Sequence, residues 1–331
     1  GRPLPADLGY PVHGHERTML APTPSVASAI EAAAAAHGTD RVLFGTPWPL
    51  ALLGPALARR GLRYGAIVHG AETILPGALP GLRGRLAGAL AGAELLLPVS
   101  AFTAAKVRSL LASTGNRAPD MTLLRPRVDV ERFTPAARRP AVRARLGLDE
   151  ASGVVLCLGR LVPRKGVHRL VRAAPALRER VPGATIVVAG TGPEEPRLRR
   201  LAARTEARVV FAGRVADEDA AALYAGADVF VLPVADRWGG LEVEGLGVVL
   251  LEAAACEVPC VTGRSGGTPE AVLDGDTGFV VNARSPEMLV EAIARLLVDR
   301  DLAGRMGRAG RRHVEATFNR PPPRALLEWL A

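Results

Sequence analysis

The chain has 331 residues, too many for one ordinary core, and 48% of them are hydrophobic while only 4% are aromatic, which suits alanine-, valine- and leucine-rich helices packed on parallel sheets. Its 42 basic residues outnumber 33 acidic ones, a balance that favours anionic surfaces or phosphorylated substrates, but no RNA- or DNA-binding module accompanies it and nucleic acid is disfavoured as a partner. Cys157, Cys256 and Cys260 are an odd number with no second Cys/His pair nearby, which argues against a disulfide framework or a structural zinc site and for a reducing compartment.

In chain order, the first half reads as a helix at 24–37, a strand at 41–45, a helix at 49–60 and a strand at 64–69. A strand at 95–99, a helix at 101–113 and a strand at 121–124 follow. Between them lies a glycine-punctuated segment, 80–92, with leucines at 82, 86 and 90 beside Arg83 and Arg85. That spacing gives one apolar and one basic face, which reads first as a helix packed on the sheet and second as a candidate contact with an anionic membrane. The longest apolar stretch, 86–105, contains Glu94 and Pro98 and is better divided into helix end, strand and helix than read as a transmembrane span. No segment reads as a signal peptide.

The stretch 129–140 lacks periodicity and is the expected linker. Beyond it, strands at 154–158, 184–189, 208–212, 228–232, 259–262 and 278–281 alternate with helices at 167–180, 194–204, 217–225, 247–256 and 286–298. This is the βαβ rhythm of a doubly wound parallel sheet. Pro321–Pro323 interrupt the last helical pattern, which resumes at 324–330. The expected domains are 1–135, 136–318 and a C-terminal segment, 319–331.

Two motifs carry chemistry. The first, Gly159-Arg160-Leu161-Val162-Pro163-Arg164-Lys165-Gly166, leaves the C-terminal end of a strand, where open α/β sheets bind ligands. Arg160 and Lys165 can converge there on one diphosphate, as a planar fork and a point charge. The second runs from Gly240 to Glu252. Reading Glu244 and Glu252 as two turns of helix puts them about 12 Å apart along the axis, so that one carboxylate can hold a sugar hydroxyl and the other a ribose. Between them, Gly245, Leu246, Gly247 and Val248 offer unpaired N–H groups at a helix N-terminus, which suits capture of a diphosphate.

Together these motifs resemble the donor-site motifs of the retaining glycosyltransferases of family 4, and in particular those of the actinobacterial phosphatidylinositol mannosyltransferases that use GDP-mannose. The likeness extends to the P-T-P turn at Pro22–Pro24, H-G-x-E at His69–Glu72, R-F-T-P at Arg132–Pro135, S-G-G-T-P-E at Ser265–Glu270 and M-G-x-A-G-R at Met306–Arg311. It implies the GT-B fold, two Rossmann-like doubly wound parallel-sheet domains facing across a cleft, with the C-terminal helix crossing back to the N-terminal domain. It also implies an opening strand and Gly-Gly loop that Gly1–Tyr10 do not match. On that comparison the N-terminal domain is expected to lack its first strand and Gly-rich loop, about 40 to 50 residues.

The resemblance further implies residue roles. Arg160 and Lys165 would neutralise the departing diphosphate without a metal ion. Glu244 would hold the sugar hydroxyls, Glu252 the ribose, and His69 the 6-hydroxyl of the transferred sugar. The backbone near Arg214 and Val215 would face the base. No side-chain nucleophile stands out, consistent with front-face attack in which the leaving phosphate acts as base. The leading expectation is transfer of mannose from GDP-mannose to a phosphatidylinositol-mannoside-type lipid, on the cytoplasmic face of the plasma membrane. Two alternatives stay open: a UDP-sugar enzyme acting on a soluble or secondary-metabolite acceptor, and a non-catalytic sugar-nucleotide-binding protein. A dehydrogenase is disfavoured, because Gly190 and Gly192 lack the third glycine of a dinucleotide fingerprint. A metal site at His13, His15 and Glu16 lacks a partner motif.

Overall fold

A computed structural model of the chain describes residues 21–138, 140–148 and 153–331. The opening residues, including His13, His15 and Glu16 and the stretch compared with the Gly-Gly loop, lie outside the described residues. Two compact α/β units emerge. The first comprises the residues up to Leu97, Lys106–Thr122 and Ala325–Ala331, and the second Pro98–Ala105 and Leu123–Arg324.

The first unit carries strands β1 (Arg41–Phe44), β2 (Arg63–Val68), β3 (Leu95–Pro98) and β4 (Asp120–Met121), in the order β1-β2-β3-β4. β1 pairs with β2, and β3 with β4, both in parallel. The P-T-P turn is a cap: Thr23 precedes the helix Pro24–Ala36 and its hydroxyl accepts from the Val26 N–H. The helix expected at 49–60 is instead a 3-10 turn, Leu50–Leu53, followed by a short α-helix, Gly54–Ala58. Pro55 has no N–H to give to the carbonyl four residues back, so the ladder cannot run through. Two helices not separated in the sequence reading, Ala71–Ala78 and Pro80–Ala91, fill the interval before β3.

That second helix takes the packed-on-the-sheet reading of its leucine stripe rather than the membrane one. Leu86 and Leu90 are fully buried in the core with Tyr64 and Leu96, so its apolar stripe is spent on the unit's own interior, while Arg83 and Arg85 stay exposed. The helix Arg324–Leu330 also packs here: Trp329 donates its indole N–H to Glu94 at 2.9 Å.

The second unit holds β5 (Gly153–Leu158), β6 (Ala184–Ala189), β7 (Val209–Gly213), β8 (Val229–Leu232), β9 (Cys260–Gly263) and β10 (Gly278–Val281). All are parallel, in the order β10-β9-β8-β5-β6-β7. β6 and β8 are buried along their whole length, as strands covered on both faces must be. One face packs against the helices Asp217–Ala225 and Val248–Ala255, the other against Val167–Arg180 and Pro286–Val298. Read from β5, the order is that of the doubly wound dinucleotide-binding sheet, and it reverses between β5 and β8.

Several motifs prove to be fastenings. Val130 and Phe133 of the aperiodic stretch are buried in this core. Arg311 binds the carbonyls of Val130, Phe133 and Ala255. Glu270 accepts from the N–H groups of Ala101 and Phe102 at 2.8 and 2.9 Å, capping the helix Ala101–Ala112. The three cysteines are free and buried.

Candidate active site

The point where the strand order reverses is where an open α/β sheet leaves a crevice at its carboxyl edge. β5 and β8 are neighbours there, through Val155 with Val229 and Leu156 with Phe230. The loop leaving β5 is the first sequence motif, and the loop leaving β8 leads into the second. Pro163–Lys165 make one 3-10 turn, closed by Gly166 in the left-handed region at φ 72°. A Cβ on Gly166 would stand 2.0 Å from the carbonyl oxygen of Pro233, just past β8, so glycine is what lets the two loops lie in contact.

This contact turns Arg164 and Lys165 onto Glu244. Both donate to the same carboxylate oxygen, Lys165 at 2.9 Å. The Glu244 side chain is only 10% exposed. Arg164 also lies 4.0 Å from Glu242, which is paired with Arg237, so charges alternate through Arg237, Glu242, Arg164, Glu244 and Lys165. Arg164 was missed by the sequence reading, which chose Arg160. Arg160 is exposed, and its guanidinium has no protein partner among the described residues.

Beyond Glu244 the chain does not continue straight into a helix. The helix begins at Val248, capped by Gly247 at φ 87°, which corrects the two-turn spacing read from the sequence: residues 244–247 form a loop. Its shape is set by neighbouring backbone. The Gly267 N–H binds the Glu244 carbonyl at 3.0 Å, Ser265 accepts from the Glu244 N–H at 3.1 Å, and Ser100 donates to the Gly245 carbonyl at 2.9 Å. A Cβ on Gly266 would lie 1.8 Å from the Glu244 carbonyl oxygen. With the carbonyls held on one side, the N–H groups of Gly245, Leu246, Gly247 and Val248 have no hydrogen-bond partner among the described residues. Open N–H groups of this kind can receive an anion.

Glu252, inside the helix, faces different surroundings. Tyr224 donates its hydroxyl to one carboxylate oxygen at 2.7 Å. Burial raises the Glu252 pKa, while the Tyr224 hydrogen bond and nearby Arg132 pull the other way. Tyr224 was a second omission of the sequence reading.

Arg214 and Val215, after β7, line a pocket of about 390 Å³ with Arg145, Asp219 and Leu223. His69 belongs to the first unit, at the end of β2, with its ring exposed. Its Nε2 lies 2.9 Å from the Gly45 carbonyl oxygen. A carbonyl only accepts, so Nε2 carries the proton and, in the neutral ring, Nδ1 is left as an acceptor. Glu72 of the same motif accepts from the N–H groups of His69 and Gly70, a capping role. No cluster of three or more metal-ligating side chains is found among the described residues, and no helix among them is long and apolar enough to cross a membrane.

A Rossmann-type sheet with a basic turn, two placed carboxylates and an open anion cradle at its reversal point has the makings of a sugar-nucleotide site. The chain belongs to the glycosyl transferases group 1 family, whose model matches residues 138–313. It is 43% identical over 313 residues to the GDP-mannose-dependent alpha-(1-6)-phosphatidylinositol monomannoside mannosyltransferase of Mycolicibacterium smegmatis, covering 92% of this chain and 80% of that one. It is 38% identical over 315 residues to the GDP-mannose-dependent monoacylated alpha-(1-6)-phosphatidylinositol monomannoside mannosyltransferase of Corynebacterium glutamicum, covering 94% and 81%. In fold it is similar to sucrose-phosphate synthase from Thermosynechococcus elongatus, with a TM-score of 0.74 at 23% identity over 89% of this chain and 74% of that one. The two parallel-sheet units are those of a GT-B glycosyltransferase.

Proposed function

We propose that this chain transfers mannose from GDP-mannose to a phosphatidylinositol-mannoside-type lipid, with retention of configuration. The observation that carries this reading is the 43% identity to the mycobacterial mannosyltransferase over 92% of the chain. The site geometry supports it. Lys165 has three donor hydrogens and gives one to Glu244, leaving two for phosphoryl oxygens. Arg160 and the open N–H groups of Gly245–Val248 supply the remaining positive potential. Glu244 presents its second oxygen to the sugar hydroxyls, Glu252 takes the ribose, and the backbone at Arg214 and Val215 faces the base.

In the reaction, the bond between the sugar's anomeric carbon and the diphosphate oxygen breaks as the acceptor hydroxyl attacks from the same face. The hydroxyl proton passes to the leaving phosphate. The charge that grows on the diphosphate meets Arg160 and Lys165, so no metal ion is required. The lipid acceptor brings the chain to the inner face of the plasma membrane. Leu75 and Leu79, 47% and 49% exposed, together with Arg83 and Arg85, form the peripheral contact with an anionic bilayer.

The test is incubation of the chain with GDP-mannose and phosphatidylinositol monomannoside, with chelator present and product read by mass spectrometry. Addition of one hexose, faster than with UDP-glucose, is the expected result. Transfer from UDP-glucose at an equal rate, or none from GDP-mannose, would remove the reading.

A further inference from the structure

Tyr224 is completely buried, and its ring is set between Phe133, with centroids 5.8 Å apart, and Phe230, at 5.5 Å. Turning the ring would open this aromatic cluster, so the fold fixes where the hydroxyl points. Burial and the neighbouring Glu252 hold the Tyr224 pKa well above its ordinary value, so the phenol stays protonated and acts as the donor. The other groups facing Glu252 are Arg132, from the stretch after β4, and Cys256, the C-cap of the Glu252 helix, with Arg311 beyond it on the helix Arg300–Thr317. The Cys256 thiol is pushed up to about 12 by burial and is neutral at ordinary pH.

Among the described residues Tyr224 is the hydrogen-bond partner of the Glu252 carboxylate. The terminal torsion of a glutamate is broad and soft, so a carboxylate draws its orientation from what it bonds. We propose that Tyr224 is a positioning residue for donor recognition: its hydroxyl locks one oxygen of Glu252 so that the other faces the two ribose hydroxyls of the nucleotide. This rests on the reading of Glu252 as the ribose acceptor given above. The consequence is specific to the ribose, because base and diphosphate are held elsewhere.

The test uses the full chain, its Tyr224→Phe variant, which keeps the ring and removes only the hydroxyl, and Glu252→Gln. Each is titrated calorimetrically with GDP and with 2′,3′-dideoxy-GDP. In the wild type GDP should bind more tightly than the dideoxy nucleotide. Tyr224→Phe should lower that preference about tenfold, the scale of one hydrogen bond to a charged group. The KM for the sugar donor should rise to match, with kcat changed by less than about twofold. The hydrogen bond also helps keep Glu252 ionised, so the acid limb of donor affinity should move to higher pH in the variant.

If Glu252→Gln abolishes the preference but Tyr224→Phe leaves it intact, Tyr224 is only packing and the proposal is overturned. If Glu252→Gln keeps the preference, the ribose reading itself falls.

Discussion

Glu244 and Glu252 stand eight positions apart, yet their surroundings are opposites. Glu244 sits in a loop, on two cations that reach it from the neighbouring strand's loop. Glu252 sits in a helix, on one neutral phenol, with burial working against its charge. The lesson is that a sequence motif with two glutamates encodes two different acids. A carboxylate clamped between cations is fixed in place, which suits a group orienting the sugar where phosphate charge grows. One held by a single hydroxyl can share its lone pairs with further hydroxyls, which suits a ribose.

The harshest way to break the contrast is Glu244→Ala. It removes the proposed sugar ligand and leaves Arg164 and Lys165 without the carboxylate they share. Transfer should fall by about a hundredfold or more in kcat, the usual scale for one placed group at a reacting centre. GDP affinity should stay within about threefold, since the nucleotide is held by other groups. Steady-state kinetics beside calorimetry separates the two, and undiminished transfer would contradict the assignment.

Lys165→Ala probes the same clamp from its cationic side. GDP should bind about tenfold more weakly, consistent with loss of a charge-assisted contact, whereas guanosine should bind as before. Equal weakening of both would take Lys165 off the diphosphate and leave it only as the partner of Glu244.

How far the sequence carried follows from the same physics. Strands 184–189 and 278–281 and helices 167–180, 217–225 and 286–298 coincide with their observed bounds, because apolar runs and helical patterns bounded by turn residues end sharply. In the first unit, glycines at 81, 84 and 88 blur the helix Pro80–Ala91, and its leucine stripe reads as core more readily than as membrane face without excluding the latter. The two site motifs were legible because each lies in one short stretch. Arg164 and Tyr224 were not. The 3-10 turn at Pro163–Lys165 brings Arg164 onto Glu244, which spacing alone does not reveal. Tyr224 reaches Glu252 from 28 residues upstream, across a helix contact that leaves no local pattern.

The finest test of the comparison is stability rather than catalysis. Because burial raises the Glu252 pKa in the folded protein, the folded chain binds more protons than the unfolded one between the ordinary glutamate value and the raised one. Stability therefore falls as pH rises through that window, and above it the cost of the buried charge is fully present. Glutamine cannot ionise and escapes this cost while still accepting from Tyr224. Glu252→Gln should accordingly melt no lower than wild type at neutral pH, and its advantage should disappear below the ordinary carboxylate range. In a large domain 1 kcal/mol moves Tm by about 2–4 °C, so the effect is a small one, read by thermal melts across pH. Glu244→Gln should shift the other way at neutral pH, because it takes the charge from between two partly buried cations and leaves them uncompensated. Two isosteric changes in one motif, melting in opposite directions, would show that the two carboxylates are held by different forces. A fall in Tm of similar size for both would mean that the Glu252 carboxylate stabilises the fold instead of burdening it.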